Sequence, residues 1–296
     1  MKDAVRLLVY LAATVLIGAL FAPVLFWGAQ AFAARGIFAA LAGFDFETFF
    51  HRALLIAALV LLWPLRRSLE LRSLSDLSLR PNPKWLRDLA GGFLISTIPL
   101  LCCAAVLLAL HIFAWRPMIN GPSAAKIVAA SIVVPLIEEG FFRGLLLGAL
   151  LRSGRVYLSI VATSALYSII HFLKAPEHTS TAVTWLSGFS SIAHAFAQFT
   201  DPIVVLSGFT TLLLIGWILA DARLLTRSLW LPVGLHAGWI FASQSFSKMT
   251  HRQMIALPWI GKNLLVGLVP LMVAAVSWLI VRAWSKRNGI SSSQAV

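Results

Sequence analysis

Charged residues are scarce in this sequence. Only 12% of its 296 residues are charged, 59% are hydrophobic, and the mean hydropathy is +0.88. Soluble globular chains have about 25% charged residues, so this composition argues against a water-soluble domain. Apolar runs of about 20 residues match the length that a helix needs to cross a hydrocarbon core of about 30 Å. The composition therefore predicts a polytopic integral membrane protein with the lipid bilayer as its solvent.

Eight apolar runs predict an all-α, polytopic integral membrane helical bundle of about eight transmembrane helices. The first run follows Lys2 and Arg6 and has no small-x-small cleavage site, so we expect it to be retained as a span rather than removed as a signal peptide. Five runs are long and three are shorter or interrupted. They lie near residues 6–33, 51–65, 89–115, 124–151, 156–174, 203–220, 229–247 and 262–283.

Acidic residues are especially few, with 11 Asp and Glu against 24 Lys and Arg, for a net charge of +13. No basic cluster with interleaved aromatic residues lies in a soluble segment, so we expect no nucleic-acid partner. The positive-inside rule explains the excess better. Cytoplasmic N- and C-termini place 15 of the 24 basic residues inside: Lys2, Arg6, Arg66, Arg67, Arg72, Arg80, Lys84, Arg87, Arg152, Arg155, Arg223, Arg227, Arg282, Lys286 and Arg287.

Several catalytic signatures are missing. The two cysteines, Cys102 and Cys103, are adjacent within a predicted span and have no metal-ligand spacing. The sequence has no HExxH motif, no GxSxG motif and no pair of aspartates within the spans. These absences argue against a zincin, an α/β-hydrolase and an aspartic dyad.

Ionisable residues nevertheless occur inside the apolar runs, where each costs about 2.5 to 3.5 kcal/mol on insertion scales. Glu138, Glu139 and Arg143 lie in the fourth run. Glu139 and Arg143 are four residues apart and share a helix face, so we expect them to form an ion pair. Glu138 points about 100° away from that pair, which predicts a separate task as a general base facing a cavity. The alternative is a buried ion cluster without chemistry.

Two histidines occur on later spans. His171 follows Tyr167 by one turn, and His236 lies between Gly234 and Gly238, a spacing that predicts close helix packing around the imidazole. Two imidazoles and a carboxylate have two chemical uses. They bind a metal such as zinc with an open position, or they activate a water directly. Glycines every four residues predict a second close helix contact in the fourth run, at Gly140, Gly144 and Gly148.

Together the residues on these three predicted spans resemble the CAAX-prenyl-protease and bacteriocin-processing (CPBP, Abi-type) family of intramembrane metalloproteases. That family has EExxxR, an aromatic-xxx-His and a His-xxx-Asn pattern on successive helices. The resemblance covers about residues 123–247. The matching residues are Glu138-Glu139-x-x-x-Arg143, Tyr167-x-x-x-His171 and His236-x-x-x-Ile240.

The resemblance implies roles for individual residues. Glu138 would be the base that activates the attacking water, with Glu139 and Arg143 as its support. His171 and His236 would either stabilise the oxyanion and position the water or, together with Glu138, bind a metal. Whether members of this family need a metal is disputed, so the resemblance implies either no cofactor or zinc.

Two positions depart from the family pattern. Tyr167 replaces the more usual phenylalanine and could bring a hydroxyl to the site. Ile240 stands where an asparagine is common, so an oxyanion donor or fourth ligand is missing there. If the chain is active, we expect Tyr167 to supply the missing donor.

We therefore predict an intramembrane endopeptidase, either metal-free or metal-dependent, that cleaves membrane-associated peptides or proteins in the bacterial cytoplasmic (inner) membrane. The alternative is a non-catalytic membrane immunity or scaffold protein that binds a peptide in the same cavity. We divide the chain into an N-terminal transmembrane region (1–120, with a cytoplasmic loop at 66–88), a protease core (121–247) and a final helix with its tail (248–296). The sequence predicts neither the substrate's identity nor the oligomeric state.

Overall fold

The structure is a computed structural model that is almost entirely helical, which confirms the predicted all-α class. It describes residues 2–77, 79–116, 121–172, 182–254, 258–261 and 264–289. The α-helices are α1 (Lys2–Ala34), α2 (Phe46–Ser68), α3 (Trp85–Ala109), α4 (Gly121–Glu139), α5 (Leu147–Leu151), α6 (Val156–Phe172), α7 (Ser187–Phe196), α8 (Pro202–Val204), α9 (Thr210–Thr226), α10 (Trp230–Met249) and α11 (Leu268–Arg287).

Shorter elements connect these helices. Two π-helical segments, Gly140–Leu146 and Val205–Phe209, join α4 to α5 and α8 to α9. The strands β1 (Phe113–Trp115) and β2 (Thr250–Arg252) pair antiparallel. The 3₁₀ turns are Ala39–Gly43, Leu74–Leu77 and Ala197–Thr200.

Five of the described helical stretches are long and apolar enough to cross a membrane. They are Lys2–Ala34, Phe46–Ser68, Trp85–Ala109, Val205–Thr226 and Leu268–Arg287. The helices α4, α6 and α10 fall outside this group. The α4 helix contains three charged residues, α6 has 17 residues, and α10 contains several polar side chains. The prediction of about eight spans stays a prediction.

The chain forms two compact units, Met1–Arg72 with Phe172–Asp201, and Ser73–His171 with Pro202–Val296. In the first unit α1 packs along α2, because alanines on α1 leave room for aromatic side chains. Ala19 and Ala22 contact the buried rings of Phe46 and Phe50. The α7 helix lies so close to α1 that a Cβ at Gly188 would clash with the Ala19 backbone.

The second unit is built around the contact between α3 and α10. A Cβ at Gly238 would lie 2.5 Å from the Phe93 carbonyl oxygen, and one at Gly92 would lie 2.5 Å from the Leu231 carbonyl oxygen. Real side chains never come so close. The predicted close packing around His236 is therefore confirmed, and α3 is the helix that approaches it.

Buried polar contacts join other helices of the second unit. Asp221 on α9 accepts hydrogen bonds from Trp278 Nε1 at 2.9 Å and from Arg282 Nη2 at 2.7 Å, both on α11. Arg223 is only 1% exposed, and its guanidinium donates to the Leu77 carbonyl. The sequence placed Arg223 in a cytoplasmic segment, whereas the structure buries it against the 3₁₀ turn Leu74–Leu77.

Candidate active site

The two glutamates end α4, and the π-helical segment that follows carries Arg143. Arg143 Nη1 donates to Glu139 Oε1 at 3.0 Å, and neither side chain is exposed. The ion pair predicted from their four-residue spacing is therefore confirmed. A second guanidinium nitrogen, Nη2, donates to the Gly216 carbonyl of α9 at 3.2 Å. The pair thus joins the end of α4 to a different helix.

Glu139 has a second partner that the sequence analysis missed. His236 Nδ1 lies 2.8 Å from Glu139 Oε1, the same oxygen that accepts from Arg143. Among the described residues, Glu139 Oε2 and Arg143 Nε have no hydrogen-bond partner. A carboxylate accepts, so His236 must direct its Nδ1–H at Glu139. When the ring is neutral, the second ring nitrogen of His236, Nε2, then carries a lone pair and can accept a hydrogen bond from another group.

Glu138 Oε2 lies near both histidines. It is 3.0 Å from His171 Nε2 and 3.8 Å from His236 Nε2. The first distance is a direct hydrogen bond, whereas the second is too long for one and fits a bridging water. The structure therefore brings Glu138, His171 and His236 together, and we refer to these three residues as the Glu138 cluster.

The number of protons in the Glu138 cluster follows from its geometry. His171 Nδ1 lies 2.9 Å from the Tyr167 carbonyl oxygen, which only accepts, so Nδ1 carries a proton. The 3.0 Å contact between His171 Nε2 and Glu138 then requires one more proton. Either the imidazole is charged beside a carboxylate, or Glu138 is a neutral acid beside a neutral imidazole. In both states the two side chains share one transferable proton.

Exposure divides the site into two layers. The side chains of Glu138 and His171 are 26% and 27% exposed, whereas His236 is 7% exposed and Glu139 and Arg143 are fully buried. The outer pair is therefore accessible to water or a substrate. The inner residues are held by one another, as a supporting layer must be to fix the orientation of a reactive group.

Tyr167 contributes its ring to this site. The ring stacks against the His171 imidazole with centroids 4.1 Å apart, and the Arg143 guanidinium lies 4.4 Å from its centroid. Ile240 is buried one turn after His236 on α10. That Tyr167 supplies the hydrogen-bond donor missing at Ile240 therefore stays a prediction.

The predicted glycine ridge in the fourth span is only partly present. A Cβ at Gly148 would lie 2.9 Å from the Leu77 backbone oxygen, but one at Gly140 would meet nothing within 4 Å. The prediction of a continuous ridge is wrong at Gly140, where no neighbouring atom approaches. The segment Gly140–Leu146 that follows the two glutamates is π-helical. Such segments are frequent at functional sites.

A metal site was the alternative use of the cluster. Within the ranges that the structure describes, no group of three or more His, Cys, Asp or Glu side chains is arranged to hold a metal ion. The 3.0 Å hydrogen bond also engages the His171 and Glu138 atoms that a metal would need. As arranged, the residues do not fit a three-ligand zinc site, and we derive no step through a metal.

The region that contains this site matches a known protein family. Residues 120–242 match the family described as Rce1-like, type II CAAX prenyl endopeptidase. The match includes all six residues named above for the site, together with Ile240. Comparisons with curated proteins and with solved structures give no match. The region that carries the Glu138 cluster is therefore similar to the Rce1-like family, the type II CAAX prenyl endopeptidases, which is the resemblance that the sequence motifs predicted.

Proposed function

We propose that this protein is an intramembrane endopeptidase in which Glu138 activates a water molecule for attack on a peptide bond. One observation carries the proposal. A partly exposed carboxylate lies between two imidazoles, 3.0 Å from one and 3.8 Å from the other, at the end of an apolar helix. A carboxylate and imidazoles within reach of one water are the groups that general acid–base hydrolysis needs.

The water binds between Glu138 Oε2 and His236 Nε2, where the 3.8 Å separation exceeds a direct hydrogen bond. In the state with the shared proton on His171, Glu138 is an ionised carboxylate. It takes one proton from the water while the water oxygen bonds to the carbonyl carbon of the substrate. The C–N bond then breaks, and the leaving amine receives a proton from the Glu138–His171 pair. The net reaction adds one water across one peptide bond.

Glu139 and Arg143 act by orienting His236. The charged acceptor at 2.8 Å keeps the Nδ1–H of His236 turned inward, so that Nε2 is directed to the water. Arg143 in turn balances the buried charge of Glu139. At histidines that bind a metal, supporting contacts of this kind are worth roughly 10- to 100-fold in affinity or activity.

The proposed substrates are membrane-associated peptides or proteins, because an active site on the predicted fourth, fifth and seventh spans would meet chains that lie in or on the bilayer. The proposed location is the bacterial cytoplasmic membrane, with both termini on the cytoplasmic side. The excess of basic residues in the predicted inner segments supports this orientation.

The decisive experiment compares Glu138→Gln with the wild type in liposomes. Two quenched fluorescent peptides serve as probes, one with a farnesylated C-terminal CAAX cysteine and one with an unmodified transmembrane segment. We expect Glu138→Gln to lower cleavage by at least about 100-fold with an unchanged melting temperature. Asp76→Asn is the matched control, since it makes the same carboxylate-to-amide change in an exposed 3₁₀ turn and should leave cleavage unchanged.

The second candidate is a non-catalytic immunity or scaffold protein that binds a peptide in the same cavity. The buried Ile240, one turn after His236, favours it because isoleucine offers no oxyanion donor. If the wild type bound the peptide without cleaving it, and Glu138→Gln bound it equally well, this candidate would be supported and the protease proposal overturned.

A further inference from the structure

The first unit contains a cavity of about 370 Å³ at the C-terminal end of α2. It is separate in sequence from every residue of the Glu138 cluster and is not used in the proposed reaction. Six residues line it: Trp63, Arg66, Arg67, Glu70, Leu71 and Arg72. We refer to it as the α2 pocket.

The end of α2 folds back to form this pocket. The Glu70 amide donates to the Arg67 carbonyl at 3.0 Å and the Leu71 amide to the Arg66 carbonyl at 3.2 Å, the two hydrogen bonds of a Schellman motif. Glu70 has a φ of 56°, a left-handed conformation usually reserved for glycine. This turn places Arg72 beside the arginines of the last helical turn.

Contacts within the pocket hold this turn in place. Leu69 and Leu71 are buried, at 0% and 9% exposure, and anchor the reversed chain. Arg66 Nε donates to the Leu71 carbonyl at 3.4 Å, which joins the helix to the segment after it.

The chemistry of the pocket lining selects an anion. Three arginines face one glutamate, which leaves an excess of positive charge. The Arg67 guanidinium stacks on the exposed Trp63 ring, 4.1 Å from its centroid. Stacking uses the face of a guanidinium and leaves its N–H groups free to donate at the edge. Arginines of this kind recognise phosphate oxygens through paired hydrogen bonds.

The position of the pocket indicates where that phosphate comes from. The α2 helix is apolar enough to cross the membrane, and the pocket lies at its end. A helix end of this kind lies at the level of the lipid headgroups in either orientation of the helix. Tryptophan is enriched at that level, and basic pockets near helix ends bind acidic headgroups.

We propose that the α2 pocket binds the phosphate headgroup of an anionic phospholipid. Arg66, Arg67 and Arg72 would surround the phosphate, while Trp63 lies along the glycerol and upper acyl region. The ordinary explanation for basic residues here is the positive-inside preference together with the helix dipole. Neither effect accounts for a cavity lined by three arginines.

The test measures lipid retention on detergent-purified, full-length protein by native mass spectrometry. Phosphatidylglycerol, phosphatidylcholine and soluble glycerol phosphate are the three probes. We expect the wild type to retain one phosphatidylglycerol at least about 10-fold more tightly than phosphatidylcholine. Combined replacement of Arg66, Arg67 and Arg72 by Gln should abolish this preference. The matched control replaces three exposed basic residues elsewhere, Arg155, Lys286 and Arg287, by Gln and should retain the lipid.

A gain-of-affinity variant protects the test against misfolding. Among the described residues that line the pocket, Glu70 is the only acidic one, so Glu70→Gln should tighten phosphatidylglycerol binding several-fold. Equal losses in the two triple variants would overturn the proposal, because they would indicate diffuse surface attraction. Weaker binding in Glu70→Gln, or displacement of the lipid by glycerol phosphate at similar concentration, would also overturn it, the latter in favour of a soluble phosphate site.

Discussion

Glu139→Gln is the substitution that tests the two-layer organisation of the site. In the wild type a single carboxylate oxygen, Oε1, accepts from Arg143 at 3.0 Å and from His236 at 2.8 Å. Glutamine keeps the shape and one acceptor but removes the charge. Arg143 would then be a buried cation without a counter-charge, and His236 would lose the acceptor that fixes its ring.

The expected cost follows from burial. Both members of the ion pair are 0% exposed, so water does not screen the change. Removing one partner of a buried pair costs about 3 to 5 kcal/mol. At about 2 °C per kcal/mol, a value for soluble domains of similar size, the melting temperature should fall by at least about 6 °C. Turnover should fall by roughly 10- to 100-fold, since His236 is misdirected but Glu138 is retained.

The assay pairs thermal unfolding in detergent with peptide cleavage in liposomes, for three variants. Glu138→Gln should lose turnover and keep its melting temperature, whereas Glu139→Gln should lower the melting temperature and keep part of its turnover. The double variant Glu139→Gln/Arg143→Met removes the stranded cation together with its partner. It should therefore recover more than half of the lost melting temperature, because apolar replacements of buried ion pairs are often nearly neutral.

Two results would refute this reasoning. A Glu139→Gln variant with the wild-type melting temperature would show that the buried pair contributes no stability. Glu138→Gln and Glu139→Gln variants that behave alike in both measurements would show that the two glutamates do not have separate tasks.

Further predictions concern the residues around this cluster. Tyr167→Phe keeps the ring that stacks on His171 and should lower cleavage about 10- to 100-fold if the hydroxyl is an oxyanion donor; full activity would exclude that role. Ile240→Asn should be tolerated or raise cleavage, whereas an inactive wild type rescued by it would favour the non-catalytic alternative. Chelation of metal ions should leave cleavage unchanged. The metal-free proposal would be contradicted if elemental analysis found stoichiometric zinc, and if removing the zinc stopped cleavage and adding it back restored it. Gly238→Ala should destabilise the protein by about 1 to 3 kcal/mol, measured by thermal unfolding, through overpacking against α3. Gly140→Ala is the control and should not destabilise the protein, because its added Cβ meets nothing within 4 Å.

Some of these features follow directly from the sequence. Hydropathy predicts membrane helices, because only helices and closed barrels satisfy their backbone hydrogen bonds in lipid. The Glu139–Arg143 pair follows from helical spacing alone, since residues four apart share a face. The candidate residues themselves stand out because ionisable groups in an apolar run are costly.

Other features depend on contacts between residues far apart in the chain. Sequence spacing does not predict that His236 bonds to Glu139, 97 residues away. Nor does it predict that Arg223 is buried against the carbonyl of Leu77. An arginine near a span end has the same local pattern whether it reaches water or a neighbouring backbone. Only the packing of the helices decides between these outcomes.

The sequence by itself determined that the chain is an all-helical membrane protein and which ionisable side chains are the candidates for a functional site. The tertiary structure decided how those side chains are paired. It placed Glu138 between His171 and His236, gave Glu139 a second partner, and turned Gly140–Leu146 into a π-helix. The physical reason is that hydropathy and helical periodicity act over one or two turns, whereas a shared proton or a buried ion pair depends on distances of about 3 Å between separate helices.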